Sequence, residues 1–345
     1  MLNLTVAVTR NPRFEPLIDR TVRSKILDLQ FVVTTPPELF YRNLKYDEFD
    51  VFEMSLSELA IARERSAGTR WQWSALPIFP AKAFLWSGLY VSSQAGIRGM
   101  GDLRGKRVGV PDYAMTAALW FRSFLKELYG IKPQEVSWHI GRLKQFSHGA
   151  ILGIDKDPPA SVSLTWLTEQ QTFDRMLDRG DLDAAYSVVP RHDPKLQTFG
   201  NNIDRYGGTE IAGNPRLQKL FADGGRQLIV DYFQKTGIVP ANHTIAVQKR
   251  LLNEYPWLAL ELFKLFQEAK QVAYENAKRW SAAYLYFEGN DAASQADLFG
   301  DDPYPYGIKA NRKMLELLYG NSHEEGLTHQ LARLDDIFHS STLDT

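Results

Sequence analysis

Short apolar runs and amphipathic stretches alternate along most of this chain, a pattern that predicts strand–helix units. Leu4 to Val8 reads as a first strand and Leu29 to Val33 as a second. Pro36 and Pro37 suit the first turn of a helix reaching about Leu44. Phe49 to Ser55 reads as a third strand with a polar end, and Leu56 to Arg65 as the next helix, with Ser57 as cap. Phe84 to Val91 is an apolar run able to cross between two bodies. The clearest unit spans Asp102 to Gly130: a strand over Arg107 to Val110, a stop at Pro111, then a helix capped by Thr116 and ended by Gly130.

Beyond that unit, Glu135 to Ile140 and Asp183 to Pro190 read as strands and Thr168 to Asp178 as a helix. Gln145 to Val162 and Arg191 to Gly213 carry the composition of exposed loops. Pro215 to Gln234 is expected to be helical in part. His243 to Val247 reads as a return strand, before long helices over Leu251 to Lys278 and a further one over Ala310 to Tyr319. Trp280, Tyr284 and Tyr286 fall on a helical stretch and are expected in the core. One excursion and a return predict two α/β lobes joined by two crossing strands. Residues 1–91 and 239–345 would form one lobe and 92–238 the other. The cleft between them is the expected ligand site.

Composition narrows the chemistry. The 345 residues suit about two domains. A net charge of -1 provides no global field for nucleic acid. The sequence has no cysteine, which excludes disulfides, thiolate zinc sites, iron–sulfur clusters and a thiol nucleophile. It contains no GxxxxGK[ST] loop, no GxGxxG after a strand, no HExxH and no GxSxG. His323 and His329 are six apart, off the spacing that lets two histidines share a metal on one helix face. No apolar run reaches the ~18 residues that a membrane span needs. The N-terminus lacks a basic segment followed by an apolar one, so a cytoplasmic location is expected.

Candidate chemistry collects at predicted strand ends. The loop Pro111 to Met115 precedes a helix N-terminus, whose free N–H groups and dipole favour a carboxylate or phosphate. A plain connection is the alternative. Glu53 ends a strand facing the cleft, where a carboxylate needs a partner. His243 opens an apolar strand after a Gly/Pro turn; it suits proton transfer near neutral pH, or a structural hydrogen bond. Arg13 and Lys82 could pair with carboxylates or be solvated. Asp302 to Gly307 reads as a rigid aromatic wall or a simple turn.

Five stretches together carry a resemblance: EMSLSELAIAR (Glu53 to Arg63), PIFPAKAF (Pro77 to Phe84), GIRGMGDLRGKRVGVPDYAMTAALW (Gly96 to Trp120), KTGIVPANHT (Lys235 to Thr244) and DPYPYGIKANRKMLE (Asp302 to Glu316). On these the chain resembles the 4,5-dihydroxyphthalate decarboxylase family. The resemblance implies a two-lobed type II periplasmic-binding-protein-like fold and a cytoplasmic, oligomeric carboxy-lyase. Its substrate would be a dihydroxylated aromatic dicarboxylate, and its products protocatechuate and carbon dioxide. No cofactor is implied, and a role for a divalent ion stays open. His243 is then the candidate proton donor, with Glu53 the alternative. Arg13, Ser55 and Lys82 are substrate-binding candidates, as are Trp86, Tyr113, Met115, Thr116, Tyr304 and Tyr306. One departure stands out. The family carries basic residues where this chain has Lys82 and Leu85-Trp86, which implies a less charged or differently shaped acid. Two other readings stay open: a solute-binding protein for an aromatic or sulfonated acid, and a lyase resembling the chorismate-processing enzymes of the alternative menaquinone route.

Overall fold

A computed structural model describes residues 1–186, 203, 205–207, 214–284 and 288–345; at 85, 87, 205, 280–284 and 288–292 it describes the backbone alone. Its strands are β1 (Leu2–Thr9), β2 (Leu27–Thr34), β3 (Val51–Ser55), β4 (Trp73–Leu76), β5 (Leu89–Ser92), β6 (Arg107–Val110), β7 (Ser137–Ile140), β8 (Ser163–Trp166), β9 (Ala184–Tyr186), β10 (Leu217–Lys219) and β11 (His243–Gln248). They form two sheets, one of order β2-β1-β3-β11-β4 and one of order β10-β5-β9-β6-β7-β8. In the first, β2, β1 and β3 run parallel, and β11 returns antiparallel between β3 and β4. The second has a parallel core of β9, β6, β7 and β8.

The chain passes between the sheets twice, and the two passages touch. Lys82 and Ala241 form an isolated antiparallel bridge, flanked by hydrogen bonds from Ala83 N to Pro240 O (3.0 Å) and from Asn242 N to Ala81 O (2.7 Å). The first crossing segment holds Pro77 and Pro80 and the second Pro240, each of which keeps the residue before it extended. The apolar run expected to cross enters the second sheet as β5.

Alternation along β1 and β11 buries Leu4, Val6, Val8, Ile245 and Val247 on one face of the first sheet. There they pack on Leu258, Leu262 and Phe266 of a long helix, Leu258–Tyr284. The opposite face, with Phe52, Met54 and Leu56, continues without a break into the core of the second lobe at Val108, Phe124 and Trp138. One apolar body therefore spans the seam.

Several elements depart from expectation. Ser55, not Ser57, caps the Leu56–Glu64 helix, accepting from Glu58 N. Met115 occupies the cap position of the Thr116–Tyr129 helix and no side chain caps it, because the Thr116 hydroxyl reaches across the seam to Ser55. Residues 145–162 are not a wholly exposed loop: they hold a short helix, His148–Ile151, whose His148 is fully buried. The helix expected from Thr168 starts at Phe173, and β10 precedes a helix over Arg226–Thr236. Tyr286, most of Arg191 to Gly213, and the expected strand beyond Tyr186 lie outside the described residues, as do the side chains of Trp280 and Tyr284.

Candidate functional site

Three strand ends of the first sheet meet at one edge, where β1 and β3 finish and β11 begins. In open α/β sheets this edge is where ligands bind. Glu53 lies opposite Ile245 in the β3–β11 pairing, so His243, two residues along, shares its face. The register brings His243 Nδ1 to 2.6 Å from Glu53 Oε1. The other oxygen, Oε2, accepts from Thr9 N (2.9 Å) and Thr9 Oγ1 (2.8 Å). Glu53 is fully buried, whereas the His243 side chain retains 17 % exposure. Burial alone would raise the Glu53 pKa. The His243 hydrogen bond and charge, with the two Thr9 donors, more than reverse this and hold it below its ordinary value. Nδ1–H donating to the carboxylate leaves Nε2 as the nitrogen outside this bond. Phe40 packs edge-on to the ring at 4.9 Å.

Beside this pair lies a group of cations. The Arg13 guanidinium donates to Pro80 O, which also accepts from Asn11 Nδ2, and stacks 3.7 Å above the Tyr304 ring. Lys82 is 8 % exposed and donates to Asn311 Oδ1 at 2.7 Å. Lys270 is paired with Asp302, donates to Tyr304 O (3.0 Å) and sits 4.3 Å from the Tyr306 ring centre. Asp302 also accepts from the Tyr274 hydroxyl (2.8 Å). Burial raises the Tyr306 phenol pKa, which Arg13 lowers and the Glu53 and Asp302 charges raise further; this coupling ties the cations to the pair. The Tyr306 hydroxyl and Arg13 Nε nevertheless make no hydrogen bond of acceptable geometry among the described residues. Neither Arg13 nor Lys82 has an ion-pair partner among them.

The other sequence candidates divide. Ser55 and Thr116 sit at the seam with their hydroxyls 2.8 Å apart, and Thr116 Oγ1 accepts from Ser57 N (2.9 Å). Met115 is half-buried at the helix start. The loop's N–H groups offered to a ligand anion are partly taken by the chain itself. Thr116 N donates to Ser55 Oγ (3.3 Å), and Ala114 N to the buried Asp112 carboxylate (3.3 Å). Tyr113 and Trp86 are core residues rather than cleft residues. The Arg122 guanidinium stacks 3.7 Å above Tyr113, while Trp86 packs among Phe84, Phe124 and Tyr232. Neither offers a ligand any surface.

Thr9, Asn11, Lys270, Tyr274 and Asn311 escaped the sequence reading. Two of them carried a signal. Lys270 falls on the stripe of Leu262, Phe266, Ala269 and Ala273, and Asn311 on that of Ile308 and Leu315. A polar residue on a buried helical stripe needs a partner. Among the described residues no group of three or more His, Asp or Glu side chains is arranged to hold a metal, and no helix is long and apolar enough to cross a membrane. A surface groove of about 520 Å³, lined by Arg312, Leu331, Arg333 and Leu343 among others, shares no residue with the site.

Fold and site together define a two-lobed binding-protein-type scaffold carrying a His–Glu pair and buried cations at its sheet edge. The periplasmic aliphatic sulphonate binding protein SsuA from Escherichia coli has this fold: 12 % identity, TM-score 0.53, with 98 % of this chain and 92 % of that one aligned. No family model matches the chain. The 4,5-dihydroxyphthalate decarboxylase of Comamonas testosteroni is 31 % identical over 346 residues, covering 100 % of this chain and 98 % of that protein. A 4,5-dihydroxyphthalate decarboxylase of Pseudomonas putida is 37 % identical over 200 residues, or 58 % of this chain and 74 % of that protein. The chain belongs to the 4,5-dihydroxyphthalate decarboxylase family and is by that membership a carboxy-lyase.

Proposed function

We propose that this protein decarboxylates a dihydroxylated aromatic dicarboxylate such as 4,5-dihydroxyphthalate, giving protocatechuate and carbon dioxide without an organic cofactor. The observation that carries this reading is the His243–Glu53 pair standing beside Arg13 and Lys82, two basic side chains without an ion-pair partner among the described residues. The substrate named for its relatives supplies one carboxylate for those cations to hold, a second to be lost, and a ring hydroxyl para to the scissile bond.

Expelling carbon dioxide directly would leave an aryl carbanion, so the ring carbon is protonated first. His243 Nε2–H delivers that proton to the carbon bearing the carboxylate, while the para hydroxyl releases its own to solvent and becomes a ring ketone. The C–C bond then breaks, its electron pair restores the aromatic ring, and carbon dioxide leaves. The phenolate regains a proton from solvent, and a second solvent proton recharges His243. Glu53 acts through His243, orienting the ring and stabilising its protonated form. Arg13 and Lys82 hold the carboxylate that stays. Lobe closure excludes water. Location in the cytoplasm and assembly into oligomers belong to the same reading.

The test mixes chelator-treated protein with 4,5-dihydroxyphthalate and follows carbon dioxide and protocatechuate. Turnover by the wild type, with His243→Ala inactive yet still binding, supports the reading. Tight binding without turnover sinks it and favours a solute-binding role, which the SsuA-like fold also accommodates.

A further inference from the structure

Lys82 is the least compensated charge in the cleft. It lies on the first crossing segment and is 8 % exposed. Its one hydrogen bond among the described residues goes to Asn311 Oδ1. That acceptor is held in place because the Asn311 amide nitrogen donates to Pro305 O (2.9 Å) and Gly307 O (2.8 Å). Gly307 makes this turn with φ +93°, a conformation that favours glycine. An amide oxygen accepts more strongly from an ammonium than from an amine, but it can accept from either, so this bond does not by itself demand a charge.

The other elements facing Lys82 provide it with no ion pair among the described residues, and only one of them a favourable field. Asp302, on the loop before the Ile308–Glu324 helix, is the carboxylate whose field reaches it, but Asp302 is ion-paired with Lys270 and bonded to Tyr274 and to Tyr304 N. Lys270, from the Leu258–Tyr284 helix, adds a like charge, and the Phe79 ring stands 5.8 Å away. Arg13, after β1, places a further cation in the same group. Desolvation pushes the amine down to about 7; Asp302 works against that shift and Lys270 adds to it.

We propose that Lys82 is uncharged in the empty cleft above neutral pH and takes up a proton as an aromatic dicarboxylate enters, so that the cleft is fully cationic only around its ligand. This rests on the preceding reading of the site as one for such acids. Its consequence is selectivity by charge. A dianion repays the protonation of a buried amine, whereas a neutral aromatic ring or a monoanion does so less.

Phthalate is a suitable probe, since without ring hydroxyls it is not turned over. Calorimetric titration at about pH 8.5, in two buffers of different ionisation enthalpy, should report uptake approaching one proton per phthalate bound. Affinity should fall about tenfold from pH 7.5 to pH 8.5, as uptake of one proton requires. Lys82→Arg, permanently charged, should bind phthalate without that uptake and with a flat pH profile. Lys82→Met should lose both affinity and uptake. Undiminished proton uptake in Lys82→Arg would assign the proton to another group and overturn the proposal. A flat wild-type profile, or no phthalate binding by the wild type, would also overturn it. The decarboxylation assay separates the two readings. Turnover with pH-independent phthalate binding removes only the role of Lys82. Proton-linked binding without turnover removes only the lyase chemistry.

Discussion

Glu53 carries a charge at a position where burial disfavours one, and what keeps it charged is local and countable. Its oxygens are taken by His243 Nδ1, Thr9 N and Thr9 Oγ1. Its folded pKa lies below the ordinary 4.5. A carboxyl lowered in this way contributes stability above its unfolded value and loses it as pH falls through the folded one. Wild-type melting temperature should therefore drop on acidification below about pH 4.5. Glu53→Gln should flatten that acid limb while lowering kcat by ~10²-fold or more. An acid limb unchanged in the variant would show that other carboxylates govern it. Thr9→Val removes one charge-assisted donor and leaves the backbone N–H. It should raise the Glu53 pKa and lower kcat about tenfold, with KM little changed, whereas Thr9→Ser should restore activity. His243 and Glu53 were both legible as candidates, because each sits at the polar end of an apolar strand. Thr9 was not, because a threonine closing a strand has the composition of any strand end.

At the scale of elements, the strands were legible because their apolar runs are short and bounded by proline or glycine, as at Arg107 to Val110. The helix starts at Pro36 and Leu56 were legible too, but the capping at Thr116 was not, because a partner distant in sequence decides it. Ser55 and Thr116 are 61 residues apart and exchange the bonds that a local cap would have made. The burial of Tyr113 and Trp86 was not legible for a related reason: one lies in a loop before a helix and the other in an apolar run, and only the fold brings Arg122 over one ring and Phe124 against the other. The Ser55–Thr116 contact joins the end of β3 to the first turn of the helix from the other lobe. Thr116→Val keeps the shape but strips the acceptor from Ser57 N and the partner from the Ser55 hydroxyl, both buried. Urea unfolding should show a loss of ~1–3 kcal/mol. Thr116→Ser, retaining the hydroxyl, should recover most of it. Equal losses in the two variants would point to the methyl group rather than the hydrogen bonds.

At the scale of the molecule, a second His–Glu pair holds the lobes together. His148, from the short helix of the second lobe, enters the first lobe and is fully buried. Its Nδ1 lies 3.0 Å from Glu58 Oε1 and its Nε2 2.9 Å from Pro37 O. Pro37 O can only accept, so Nε2 carries a hydrogen and donates it there. Arg142 Nη1 lies 3.3 Å from the same Nδ1, and Asp112 lies 3.9 Å from Arg142, so the seam contains two acids and two bases. Phe40 touches His148 at 6.0 Å and His243 at 4.9 Å, placing one ring between seam and site. Removing one member of a buried pair strands the other in a medium that cannot solvate it, whereas removing both does not. His148→Leu and Glu58→Leu should each destabilise by ~3–5 kcal/mol, and the double variant by much less than their sum. Because the pair spans the lobes, the double variant should fold yet open more readily, raising KM for substrate and increasing the radius of gyration in solution scattering. Strictly additive losses would mean that the two side chains stabilise their own lobes separately. The seam would then be held by the continuous apolar core that runs from Met54 to Trp138.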